Sequence, residues 1–91
     1  MEFEYDPLKS EANAEKHGID FEEAQELWDD PYRIEYDVES RGERRFITVA
    51  RLADGRWAAV CTMRGDAVRI ISVRRATKEE VSEYDRAGND D

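Results

Sequence analysis

The sequence predicts an α+β fold. Three observations carry that prediction: two capped helical segments before residue 31, four alternating apolar segments separated by tight turns between residues 32 and 74, and a capping box opening a last helix at Thr77. With 91 residues the chain is long enough for one domain only. That domain is drawn over residues 1–87, with a short, frayed-looking tail at 88–91 (Gly-Asn-Asp-Asp).

Each element has a local cause. Met1 to Tyr5 alternates, with Phe3 and Tyr5 on one face, as a short extra N-terminal edge strand would. Asp6-Pro7 opens the first helix: Asp6 can cap it, and proline's fixed φ suits the first helical position. That helix runs to Lys16 or His17, where Gly18 supplies a left-handed end. Asp20 restarts the helix, with Glu23 three residues on as in a capping box. Phe21, Ala24, Leu27 and Trp28 form its apolar stripe, and Asp29-Asp30-Pro31 stops it. Residues 6–30 are therefore an N-terminal helical hairpin. Strands are predicted at 32–38, 44–52, 56–63 and 67–74. The turns between them are Glu39-Ser40-Arg41-Gly42, Ala53-Asp54-Gly55 and Arg64-Gly65-Asp66. Sequential hairpins of this kind give a four-stranded antiparallel β-meander. Thr77 and Glu80 then cap a C-terminal helix running to about Arg86.

Composition narrows the functional classes. The chain has 23 acidic and 14 basic residues, a formal net charge of −9, so a nucleic-acid partner would have to be met by a local cationic site. Nine aromatic residues argue against a disordered acidic chain. No apolar run is long enough to span a membrane, and the acidic N-terminus lacks a secretory core. One cysteine, Cys61, and one histidine form neither an internal disulfide nor a zinc set, and the simple compartment is a reducing cytoplasm. Nothing resembles a P-loop or a dinucleotide fingerprint, so no cofactor is expected. Of the cations 11 are Arg and 3 are Lys, a bias that fits high-salt adaptation or a GC-rich genome, the first being preferred.

The residues with chemistry to offer lie mostly late in the chain. Arg64 is at a turn, Arg69 is mid-strand, and Arg74 and Arg75 end the last strand. Planar, permanently charged guanidinium groups suit phosphate recognition. Two-residue periodicity puts Arg64, Val68, Ile70, Ser72 and Arg74 on one face and Arg69, Ile71, Val73 and Arg75 on the other. On that pattern Ile71 and Val73 face the core, and Arg64 and Arg74 meet on an exposed face. The alternative is that these arginines simply pair with surface carboxylates. His17, beside Lys16, sits at a helix C-terminus, where the dipole favours it; it is also the one side chain ready for general acid–base work near neutrality. Tyr84 and Glu80 share one face of the terminal helix, where Tyr84 either docks the helix or contacts a nucleotide. Cys61 reads as a buried strand residue.

Several segments together resemble a known family. They are F-E-Y-D-P-x-K at 3–9, N-x-x-K-H-G-I-x-F-E-E-A at 13–24, D-D-P at 29–31, R-F-I-T at 45–48, R-G-D-x-x-R-I-I-S-V-R-R-A-T at 64–77 and E-x-x-x-Y at 80–84. In this order they look like the BrnT toxins of type II toxin–antitoxin modules, over nearly the whole chain. The resemblance implies a RelE-like fold, with helices packed on one face of an antiparallel sheet. It implies a ribonuclease that cuts RNA without a metal and arrests translation. It also implies a BrnA-type antitoxin partner carrying a ribbon-helix-helix domain, through which alone the toxin would meet DNA. By motif position Arg64 and Arg74 (or Arg75) bind phosphate and stabilise the transition state, with Arg69 and Lys16 as further phosphate contacts. His17, Glu80 and Tyr84 complete the catalytic set that the resemblance implies. Cys61-Thr62-Met63-Arg64 departs from the family pattern, which often has a polar aromatic there.

Overall fold

Short-range capping sets the helices. The computed structural model describes residues 1–39 and 42–88. Its elements are β1 (Glu2–Glu4), α1 (Pro7–His17), α2 (Phe21–Ala24) continued by a 3₁₀ turn (Gln25–Asp29), β2 (Ile34–Val38), β3 (Arg45–Leu52), β4 (Gly55–Arg64), β5 (Ala67–Arg75) and α3 (Lys78–Gly88). Asp6 accepts a bond from the Leu8 amide at 2.9 Å, and Gly18 ends α1 at φ 80°. Asp20 accepts from the Glu23 amide at 2.7 Å. The second helix tightens from α to 3₁₀ after Ala24 and ends at Asp29, where the extended Asp30 before Pro31 stops it. Thr77 and Glu80 form the full reciprocal box: Thr77 N donates to Glu80 at 2.8 Å, and Glu80 N donates to Thr77 at 3.2 Å. Residues 40 and 41 of the predicted Glu39–Gly42 turn, and 89–91 of the predicted tail, lie outside the described residues.

The helical hairpin is tied to the sheet by a buried asparagine. Asn13 Nδ2 donates to the carbonyls of Ile19 at 2.8 Å and Val73 at 2.9 Å, and Asn13 Oδ1 accepts from Val73 N at 3.2 Å. One side chain thus closes the α1–α2 turn and satisfies β5 backbone groups that a neighbouring strand would otherwise have to pair.

The sheet order is β1-β5-β4-β3-β2. The meander β2–β5 is antiparallel throughout, as expected, but β1 pairs parallel to β5, with Phe3 opposite Val68. The sheet is therefore five-stranded and mixed rather than four-stranded and antiparallel. Phe3 and Tyr5 pack edge-on against Trp28 and Phe21, which fixes β1 beneath the N-terminal helices.

Helices cover both faces of the sheet, not one. Phe46, Ala50, Trp57, Ala59, Cys61, Val68, Ile70 and Val73 pack under the N-terminal helices, while Ile47, Val49 and Ala58 pack with Tyr84 of α3 on the other face. The strand sequences require this. β3 and β4 are apolar at successive positions (Phe46-Ile47, Val49-Ala50, Trp57 to Cys61), so neither face can be left to water.

Strict alternation fails at one point in β5. Val60 lies opposite Ser72 and Cys61 opposite Ile70, which leaves Ile71 as a bulge. Val68, Ile70 and Val73 are thereby all buried on the α1 face, whereas alternation had grouped Val68 and Ile70 with Arg74. In the predicted turn between β3 and β4 the left-handed residue is Ala53 (φ 54°). At Gly55 an added Cβ would displace the Arg75 guanidinium from its place over Trp57. Ala53→Gly is expected to raise stability by about 0.5 kcal/mol, since glycine adopts this φ without penalty but loses more chain entropy. The urea midpoint checks it; a lower midpoint would contradict the strain at Ala53.

Candidate active site

The residues singled out from sequence separate into four places. Arg74, Glu80 and Tyr84 gather on the α3 face. Arg74 Nη1 and Nη2 donate to the two Glu80 oxygens at 2.7 and 3.1 Å, and Tyr84 lies one turn further along α3. Arg64 is at the far end of the β4–β5 hairpin, bonded to Glu43 at 3.4 Å. Arg74 lies opposite Ala58, and Ala58 to Arg64 is about 20 Å along β4. The expected meeting of Arg64 and Arg74 does not occur, because they stand near opposite ends of one long hairpin. Arg69 is held at the β1 edge by Glu4 at 2.9 Å. Lys16 and His17 belong to α1, whose hairpin packs on the opposite face of the sheet. Arg75 is on that face too, stacked 4.4 Å over the Trp57 ring.

The α3-face cluster is built from three elements. β5 contributes Arg74 after the Ile71 bulge has turned its side chain to this face. α3 contributes Glu80, buried to 7% side-chain exposure by its capping role. β2 contributes Tyr36, whose hydroxyl donates to Glu80. Burial alone would raise the Glu80 pKa, but the Arg74 pair, the Tyr36 hydroxyl and the Thr77 amide outweigh it and bring the carboxyl down to about 2. Burial and the anionic Glu80 push Tyr36 up to about 12. Glu80 is thus an ionised anchor and Tyr36 a hydrogen-bond donor near neutrality. Neither titrates where a general base would.

A second polar cluster abuts the first. Tyr84 donates to Asp30 at 2.5 Å, and burial followed by that bond pushes its pKa up to about 12. The same Asp30 carboxylate accepts from the amides of Tyr32 and Arg51, both at 2.8 Å. Burial would raise the Asp30 pKa, but the Tyr84, Arg51 and Tyr32 bonds hold it below the ordinary value. Arg56 lies 5.5 Å from the Tyr84 ring and 3.3 Å from Asp85. Arg56 shares the face of Ala58 and Arg74 and stands diagonally across from Arg74, about 7 Å away between backbones. Arginines 74, 56 and 51 therefore step across β5, β4 and β3 on one face.

Sequence pattern alone singles out none of Asp30, Tyr36, Arg51 and Arg56 as functional. One signal was present. A two-residue loop at Ala53-Asp54 pairs Leu52 with Gly55 and hence Arg51 with Arg56. Cys61 is fully buried, and burial followed by the charge of Glu35 raises its thiol to about 12, so it offers no thiolate. No helix among the described residues is long and apolar enough to cross a membrane.

Fold and site together define a small α+β domain whose arginines and tyrosines are organised under its last helix. The chain belongs to the family described as "Ribonuclease toxin, BrnT, of type II toxin-antitoxin system", whose sequence model it matches over residues 5–80. Membership brings with it the toxin role, ribonuclease activity at the level of the family, and an antitoxin partner. The matched segment ends on Glu80, so Tyr84 lies beyond it. The comparison with curated proteins finds no match.

Proposed function

We propose that this chain is an active, metal-independent endoribonuclease of RelE-like type that inhibits translation. A BrnA-type antitoxin with a ribbon-helix-helix domain neutralises it. The reading rests on Arg74: a guanidinium fixed in place by Glu80, flanked by Tyr36, and one strand from Arg56.

In this mechanism Arg74 binds the scissile phosphate and offsets the charge that develops there. The neighbouring 2′-hydroxyl attacks phosphorus, forming a 2′,3′-cyclic phosphate and releasing the 5′-oxygen as a hydroxyl. Water takes the 2′-hydroxyl proton and returns one to the 5′-oxygen, since no group at this centre titrates near neutrality. Tyr36 and Tyr84 give their hydroxyl protons to Glu80 and Asp30, and with Glu80 they are positioning residues. Arg64, Arg69, Arg75, Lys16 and His17 lie away from this centre and are assigned at most to strand binding.

The purified chain is expected to cut RNA in excess EDTA, with no inflection of rate near pH 6.5. Cleavage that requires added metal, or an inflection lost in His17→Gln, would overturn the mechanism. A second reading has one observation in its favour. Glu80 occupies both arms of Arg74, as it would in a non-catalytic module that only docks the antitoxin. Absence of cleavage, with antitoxin binding intact, selects that reading.

A further inference from the structure

Beside the proposed cleavage centre is an open pocket of about 380 Å³ lined by Tyr32, Arg51, Arg56, Tyr84, Asp85 and Gly88. Packing accounts for Tyr84 and in part for Arg56, but not for Arg51 beside them. Arg51 and Arg56 are directly opposite one another on neighbouring strands, an arrangement that costs stability for like charges. One carboxylate contact only partly compensates: Arg56 to Asp85 at 3.3 Å. The Arg51 side chain donates to the Ala53 carbonyl at 3.3 Å, which leaves its charge available. Asp30 is occupied by Tyr84 and two backbone amides. Tyr32, at the pocket's rim, is 61% exposed.

We propose that this pocket holds one nucleotide of a single-stranded RNA, its phosphate between Arg51 and Arg56 and its base against Tyr32. The inference rests on the ribonuclease reading and adds a substrate subsite to it. Paired guanidinium groups recognise phosphate, and an exposed aromatic ring stacks on any base. Because Arg56 and Arg74 are neighbours on the sheet, one extended strand can occupy both positions. The subsite also answers the charge problem posed by a net −9, since a cationic step is concentrated at one end of the α3 face.

The test is equilibrium binding of a fluorescein-labelled, mixed-sequence single-stranded RNA with 2′-O-methyl sugars, which cannot be cleaved by 2′-hydroxyl attack. Tyr32→Leu is expected to weaken binding about tenfold. Arg51→Gln is expected to lower the slope of log affinity against log salt by about 0.7, the value for one lost phosphate contact on a single strand. Arg44→Gln, the same charge change on an exposed residue paired with Asp37, is expected to alter neither. Equal effects at Arg44 and Arg51, no binding by the unmodified chain, or displacement of the RNA by polyglutamate as readily as by unlabelled RNA would each overturn the subsite. Cleavage that persists while Arg51→Gln and Tyr32→Leu bind normally would remove the subsite and leave the ribonuclease reading standing. Binding that depends on Tyr32 and Arg51 without any cleavage would do the reverse.

Discussion

Asp30→Ala is expected to lower stability by about 3 kcal/mol, among the largest effects of any substitution outside the apolar core. Three donors converge on this carboxylate: the Tyr84 hydroxyl, the Arg51 amide and the Tyr32 amide. Its position explains its weight. β2 pairs with β3 only as far as Ile34 opposite Val49, so the Arg51 amide lies beyond the end of its neighbour. Asp30 takes the place of the missing strand residue and at the same time anchors α3 through Tyr84. Removing it takes this acceptor from two backbone amides and frees the helix carrying Glu80. Asp30→Asn keeps an acceptor and is expected to cost about 1 kcal/mol, and Tyr84→Phe about the same. Chemical denaturation measures all three. A loss below about 1 kcal/mol in Asp30→Ala would show that the α3 anchor is elsewhere.

Glu80→Gln is expected to cost about 2 kcal/mol at pH 7 and close to nothing near pH 2. The carboxyl titrates at about 2 in the fold, against an ordinary 4.5. Its contribution is therefore complete above about pH 4.5 and drains away as pH falls towards 2. Glutamine keeps the capping bond but not the charge opposite Arg74. Stability curves of the two proteins should accordingly run parallel above pH 5 and converge in acid. A constant gap at every pH would mean that the carboxylate contributes through packing rather than through its charge.

Capping is local, and the sequence carried it well. Asp6-Pro7, Gly18, Asp20 and Thr77 act where the sequence put them, and the strand limits move by a residue or two. The features that escaped are those decided between distant segments. The parallel docking of β1 depends on where Phe3 finds Trp28. The Ile71 bulge depends on how β4 and β5 settle, and a single extra residue was enough to change which side chains accompany Arg74. Arg64 and Arg74 agreed in parity but not in distance, since alternation reports a face and says nothing of position along it. Asp30 illustrates the same limit: its sequence reading as a helix stop stands, but the bond to Tyr84 spans 54 positions and has no local signature. Arg51 and Arg56 were within reach, because their pairing follows from one two-residue loop.

The α3-face centre is tested most directly by single-turnover RNA cleavage in EDTA, comparing Arg74→Lys with Arg64→Lys. Lysine keeps the charge at both positions but cannot reproduce the two-armed geometry at Arg74. Arg74→Lys is expected to slow cleavage about 100-fold while Arg64→Lys stays within about twofold of the parent. Equal loss in the two variants, or a larger loss at Arg64, would contradict a cleavage centre at Arg74 beneath the C-terminal helix.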